Sequence, residues 1–248
     1  MNAAILTYHH VAVPESPHNA HLYVSPGDFE RQIEFLNNRG FQVVPLDRVR
    51  EALLNRESLP ERTVAISFDD GFEDNYTNAF PILKKYGFPA TVFSVAGSIP
   101  PEGEPGKDGE GGRYLSAKQL RELSREGVAI GSHAVHHKRL ATLPMEEALE
   151  EITGSKRILE EICEREIRWF SYPFGSYSRQ LADRVREAGY WGAVSVIRDN
   201  RLRESQLYWL PRVMVMGDSS LARFRYYFSG LYHWIHHRKN RKRWEGYV

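Results

Sequence analysis

The sequence predicts an α/β protein whose parallel strands close into a barrel, on three observations. Strand-like and helix-like segments alternate along the 248 residues, the pattern of a parallel sheet with right-handed crossovers. Roughly seven strand–helix units recur, which suits a closed ring better than an open sheet. Each cluster of chemically active side chains falls at the end of a predicted strand, where barrel enzymes place their chemistry.

The elements follow in order. Ala3–Tyr8 is the first predicted strand. Ser25-Pro26 supplies an N-cap and a proline at the first helical position. Phe29, Ile33 and Leu36 then recur at helical spacing, and Gly40 closes the helix. A strand at 41–44 and a helix at 46–54 lead to Thr63–Phe68, an apolar β-branched run read as a buried strand. A helix ending near Tyr86-Gly87, with Pro81 at its start or a kink, precedes a strand at 90–95. Residues 100–113, dense in Gly, Pro and charge, form a loop expected to be mobile and to cover the cleft. Ser116 and Gln119 form a capping box. A strand at 128–131 is followed by a long amphipathic helix at 144–162, with Met145, Leu149, Ile152, Leu159 and Ile162 on or near one face. A strand at 168–172, a helix at 179–188, strands at 192–197 and 212–216 and a helix from about Ser219 complete the chain. The expected organisation is one barrel domain over residues 1–230 and a basic tail over 231–248.

Composition narrows the classes of function. Hydrophobic residues make up 42% and the formal charge is +1, so nothing global points to nucleic acid. One cysteine, Cys163, excludes a disulfide framework and argues against a thiolate metal site. The N-terminus reads as a strand rather than a signal peptide, and no segment approaches a spanning helix, so a cytoplasmic location is expected. Arg238, Lys239, Arg241, Lys242 and Arg243, flanked by Trp234 and Trp244, read as a solvated tail or as a surface for anionic lipid or a phosphorylated carrier.

The chemistry gathers in four clusters. Asp69 and Asp70 end the 63–68 strand, and two adjacent acids are costly to bury unless a cation relieves them. His133 and His137, four apart, would share a face on a helical turn and reach one ion, with His136 pointing elsewhere. Asp70, His133 and His137 thus form a candidate ligand set with room for water, suited to zinc, cobalt, nickel or iron(II). Asp69 stays free as a base. Ser171-Tyr172-Pro173-Phe174-Gly175 ends another strand in a tight turn able to aim a backbone N–H at an oxyanion. Tyr8-His9-His10 ends the first strand and offers a histidine to protonate a leaving amine.

These residues resemble the polysaccharide deacetylase family, with its NodB homology domain (carbohydrate esterase family 4). Ser67-Phe68-Asp69-Asp70-Gly71 matches its first motif, His133-Ala134-Val135-His136-His137 its second, and Ser171-Tyr172-Pro173-Phe174-Gly175 its third. The similarity runs from Tyr8 to about Gly230 and includes Ala79–Leu83, Tyr86–Phe93 and Arg186–Tyr190. The resemblance implies a distorted (β/α)7-type barrel and metal-dependent removal of acetyl groups from N-acetylated sugars. It implies Asp69 as general base, a divalent metal, zinc first, on Asp70, His133 and His137, and the Phe174 N–H in the oxyanion hole. The opening Tyr8-His9-His10-Val11 looks like the branch of poly-N-acetylglucosamine deacetylases, whose motif order is circularly permuted and whose acid histidine comes from the first strand; that implies His9. Two positions depart from the family pattern: Ser171 stands for the arginine that holds the catalytic aspartate, and Ala134 for a hydroxyl residue. Arg212 is the expected substitute for the missing charge.

The expected substrate is an N-acetylated glycan, oligosaccharide or glycolipid, a cytoplasmic lipid-linked or nucleotide-linked sugar fitting the sequence best. Peripheral membrane contact through 234–244 is expected to accompany it. Trp191, Trp209, Tyr177 and Tyr208 are aromatic candidates for sugar stacking or core packing. The rival readings are an amidohydrolase on a small nitrogen compound, a non-catalytic sugar-binding relative, and an iron(II) oxygenase built on an Asp-His-His triad.

Overall fold

The structure is a computed structural model that describes residues 3–14, 17–101, 103–104, 108–109 and 112–240. Eight parallel strands build the main sheet: β1 (Ala3–Tyr8), β2 (Gln42–Val43), β3 (Thr63–Phe68), β4 (Thr91–Ser94), β5 (Ala129–Ser132), β6 (Trp169–Ser171), β7 (Gly192–Arg198) and β8 (Leu210–Met214). The ring runs β1-β8-β7-β6-β5-β4-β3 and closes by pairing of β3 with β1, in register from Ala3↔Thr63 to Tyr8↔Phe68. Seven strands therefore form the predicted barrel. Its distortion has a visible origin. The first residues of β3 pair with β2 and only its last two, Ser67 and Phe68, pair with β4. The barrel is splayed at its N-terminal end and tight at its C-terminal end.

Helices α1 (Pro26–Asn38), α2 (Leu46–Leu54), α3 (Phe80–Tyr86), α4 (Ala117–Arg125), α5 (Met145–Cys163), α6 (Arg179–Glu187), α7 (Leu221–Tyr226) and α8 (Gly230–Lys239) complete the architecture. Local signals set several of their starts. The Ser25 hydroxyl accepts the Asp28 N–H with Pro26 at the first helical position. Ser116 and Gln119 form the expected reciprocal box. The 3.6-residue pattern of α5 buries Ala148, Glu151, Ile152, Ser155, Leu159 and Cys163. Leu149, expected near that face, is instead exposed.

Period-two alternation along the strands sorts the interior. Ala4, Leu6 and Tyr8 join the cluster between strands and helices, whereas Ala3 and Ile5 join a second cluster with Ala65, Phe93, Trp169 and Leu210. Leu46, Val49, Ala52 and Leu53 of α2 belong to this second cluster. Two residues further along the same inward rows stand Thr7, Ser67, Ser171 and Arg212. These are all buried and polar. The core is thus apolar towards the N-terminal end and polar towards the C-terminal end. No helix among the described residues is long and apolar enough to cross a membrane.

Candidate active site

The inward row of β3 ends in Asp69, buried and held by Arg212 of β8. The guanidinium donates to both carboxylate oxygens, Nη1 to Oδ1 at 2.7 Å and Nη2 to Oδ2 at 2.6 Å. Arg212 is itself 1% exposed, and burying an ion pair is costly unless every polar atom is satisfied. Here Nε donates to the Ser195 carbonyl at 2.9 Å, and the two remaining contacts go to the hydroxyls of Ser67 and Ser171 at 3.3 and 3.1 Å. The small Ser171 side chain leaves room for the guanidinium, which reaches Asp69 from β8, one strand beyond β1. Burial pushes the Asp69 carboxyl up, but Arg212, His133 and His9 outweigh it and hold it below the ordinary aspartate value.

Asp70 faces the other way. Its φ of 70° puts it in the left-handed region, and Gly71 follows at 75°. A Cβ on Gly71 would lie 2.6 Å from the Ser94 hydroxyl, so space and backbone both require glycine there. This reversed turn carries the Asp70 carboxylate to His133 and His137. Oδ1 lies 3.4 Å from His133 Nε2 and 3.3 Å from His137 Nε2. Two ligand atoms on one tetrahedral zinc, with bonds of about 2.0–2.1 Å, stand about 3.3 Å apart. Burial would raise the Asp70 carboxyl, yet the two imidazoles hold it well below its usual value, and His133 is raised in turn by Asp70 and Asp69 against its burial. The site is a field that favours a positive charge. His133 Nδ1 donates to the Ser171 carbonyl at 2.7 Å, which fixes the ring's orientation and aims Nε2 at Asp70.

The histidine loop is not the helical turn expected from the i, i+4 spacing. Residues 133–139 are irregular, with Ala134 at φ 63° and His137 at φ 53°. The convergence comes from left-handed kinks instead. Of the seven non-glycine residues with positive φ among the described residues, Asp70, Ala134, His137 and Phe174 belong to this one site. Strain concentrated in this way marks a functional locus. The kinks are held by a residue absent from the sequence reading, Glu151 of α5. Its Oε2 accepts the N–H groups of Val135 and His136 at 2.9 and 2.8 Å, and its Oε1 meets His136 Nδ1 at 2.8 Å. His136 accordingly points away from the ligand set. The available signal was an acid beside Ile152 on the apolar face of an amphipathic helix.

The third-motif turn puts Phe174 at φ 58°. Its hydrogen bonds run from Gly175 N–H to the Tyr172 carbonyl and from Ser176 N–H to the Pro173 carbonyl, which leaves the Phe174 N–H outside them. The Phe174 ring is 48% exposed, 4.5 Å from the His137 ring, with the Arg139 guanidinium 4.3 Å from its centroid. His9, from the end of β1, is near enough for Asp70, Asp69, Arg212 and His133 to act on its titration, and burial lowers its pKa overall. Its Nδ1 is buried without a hydrogen-bond partner among the described residues. His10 is different. It is stacked between Tyr23 and Phe72, with Nδ1 2.6 Å from Asp74.

The aromatic candidates for sugar stacking lie elsewhere. Tyr177 is buried and stacks on Trp209; Tyr208 donates to the Tyr190 carbonyl. Trp191 precedes β7, at the opposite end of the barrel, between Arg50 and Arg168. Part of the 100–113 loop, including residues 105–107 and 110–111, lies outside the described residues, as do Arg241, Lys242, Arg243 and Trp244.

A seven-stranded parallel barrel thus brings two acids and two histidines together at its C-terminal mouth. The profile described as polysaccharide deacetylase matches residues 56–193, and the chain belongs to that family. It is similar to YxkH of Bacillus subtilis (strain 168), 29% identical over 227 residues that span 92% of this chain and 76% of the relative. It also resembles the poly-beta-1,6-N-acetyl-D-glucosamine N-deacetylase of Staphylococcus aureus, 27% identical over 79% of this chain and 69% of that protein. Among solved structures, Streptococcus pyogenes deacetylase PplD in complex with acetate superposes with a TM-score of 0.82 at 25% identity, covering 92% of this chain and 99% of the other. IcaB from Ammonifex degensii gives 0.78 at 25% identity, over 92% and 97%.

Proposed function

We propose that this chain is a metal-dependent N-deacetylase of N-acetylated glycans, with Asp69 as base, His9 as acid and Asp70, His133 and His137 as metal ligands. One observation carries the reading: adjacent carboxylates are sent into opposite environments, one clamped by Arg212, the other set at ligand spacing from two imidazoles. The nitrogen–oxygen donor set and the 3.3–3.4 Å separations fit a zinc-class cation. When bound, such a cation supplies a Lewis acid and lowers the pKa of water towards 7.

The side chains divide the remaining work. Asp69, held ionised by Arg212, takes the proton of the attacking water. The Phe174 N–H, free of the turn's own hydrogen bonds, donates to the oxyanion of the tetrahedral intermediate. His9 gives a proton to the departing amine, and its burial makes that proton easier to release. Acetate and an amino sugar leave. The exposed Phe174 and the partly open His137 support a long glycan over a small enclosed ring, and a pure sugar binder would have no use for a buried Asp69–Arg212 pair. Exposed Leu231 and Trp234 on α8, with Arg238 stacked on Trp234, support peripheral contact with an anionic surface.

The test is acetate release from a panel of N-acetylated oligosaccharides and glycolipids. Wild-type protein loaded with zinc should release acetate, and Asp69→Asn should bind zinc normally yet release none. Near-normal release by Asp69→Asn would overturn the assignment.

A further inference from the structure

A second Asp-His-His group lies outside the site just described. Asp199 directly follows β7, and α8 presents His233 and His237, one helical turn apart, to its carboxylate. Asp199 is 1% exposed. Its Oδ1 accepts from His233 Nδ1 at 2.6 Å and from the N–H groups of Asn200 and Arg201 at 2.7 and 3.2 Å. Its Oδ2 faces His237 Nδ1 at 3.9 Å, beyond hydrogen-bond range. The two imidazoles stack 5.1 Å apart at 30°, and one donor atom from each of the three residues lies within 4.8 Å of the others.

We propose that Asp199, His233 and His237 form a second divalent-cation site, zinc-class in its donors, that fastens α8 to the end of β7. Three features support it. A buried carboxylate invites a cation, and the donor set is the nitrogen–oxygen combination that zinc accepts. The i, i+4 spacing on a real helix puts both Nδ1 atoms on one face, a preorganisation the histidine loop at 133–137 achieves only with kinks. Nothing in the deacetylation chemistry uses these residues. Ligation needs the proton that His233 Nδ1 donates to Asp199 to pass, by exchange with water, to Nε2, so that each neutral ring ligates through Nδ1 in place of that hydrogen bond. Arg201 and Arg203 act on His237 with like charge, which opposes a cation there. Its effect is structural. α8 is already held by the His233–Asp199 hydrogen bond, by buried Tyr232 and by the Asn240 amide on the Arg198 carbonyl, and the cation, by recruiting His237 as well, adds a further anchor.

The experiment is equilibrium dialysis of metal-stripped protein against micromolar zinc, with bound zinc counted by elemental analysis. Wild type should hold two equivalents, His237→Ala one, His133→Ala one, and the double variant none. Zinc should raise the melting temperature of His133→Ala and leave that of the double variant unmoved, and His237→Ala should deacetylate within twofold of wild type. His133→Ala that binds no zinc, or His237→Ala that still binds two, overturns the proposal. His133→Ala that keeps two equivalents overturns the active-site reading instead, so the two failures are distinct.

Discussion

Among the described residues stand two Asp-His-His groups, built from the same residue types by different means. At the barrel mouth, two separate loops bring Asp70, His133 and His137 together, and left-handed backbone at Asp70 and His137 aims two of them. At the outer edge, one regular helix presents His233 and His237 to Asp199 without any such strain. Local helical geometry is the cheaper way to build a ligand pair. The strained route leaves Asp70 beside a second, clamped carboxylate, which the helical route does not offer. Strain of roughly 1–3 kcal/mol per residue is tolerated where it assembles parts that one element cannot carry.

Breaking the mouth group should have the largest effect. His133→Ala removes a proposed ligand and the hydrogen bond to the Ser171 carbonyl, and turnover should fall below detection. Asp69→Asn should lower the rate by about 10²–10⁴ or more, the span of general-base catalysis, with zinc still bound. Measured together as acetate release and zinc content, the pair separates ligand from base. Loss of zinc in Asp69→Asn would merge two roles that are distinct in this account.

Arg212→Met comes next. It leaves Asp69 buried without its counterion, and removing one partner of such a pair costs about 3–5 kcal/mol. The melting temperature should drop sharply. The sign for activity follows from the clamp: Arg212 holds the Asp69 carboxyl down, so its removal raises that pKa and moves the acid limb of the rate profile to higher pH. An unchanged limb would show that Arg212 only fills space.

Much of this was legible in the sequence, and the parts that were not share a cause. The strand at Thr63–Phe68 and the cap at Ser25 are read from local composition, and both appear where predicted. Arg212 was placed near Asp69 only as a remedy for Ser171, because pairing across β8, β1 and β3 is set by barrel closure and leaves no trace in local pattern. The helical turn expected at 133–137 fails because spacing alone cannot distinguish a turn of helix from a kinked loop of equal reach. Glu151 was missed because a charged residue on an apolar face reads as noise until the loop it braces is seen.

Glu151→Gln should therefore have an intermediate effect. The amide oxygen can still accept both backbone N–H groups, as Oε2 does, but the negative charge that strengthens these contacts is lost and an amide N–H replaces Oε1 opposite His136 Nδ1. Altering such a supporting contact typically lowers metal affinity by about 10–100-fold. Zinc titration of the variant should show that weakening, and excess zinc should restore the rate. Loss that zinc cannot restore would place Glu151 in folding alone.

The smallest effect is expected at Phe174. The proposed donor is its backbone N–H, fixed by the φ of 58° and by the Gly175 and Ser176 hydrogen bonds that flank it. A Cβ on Gly175 would lie 2.1 Å from the Val196 side chain, so enlarging it must shift one or the other, and the turn is packed from the inside while the Phe174 ring lies at the surface. Phe174→Tyr keeps the backbone, the stacking on His137 and the contact with Arg139. Its kcat should stay within about twofold of wild type, since no hydrogen bond in the transition state changes. Gly175→Ala, which must displace Val196 and shift the same N–H, should cost far more in kcat than in KM. A kcat for Gly175→Ala equal to that of Phe174→Tyr would remove the turn from the oxyanion hole.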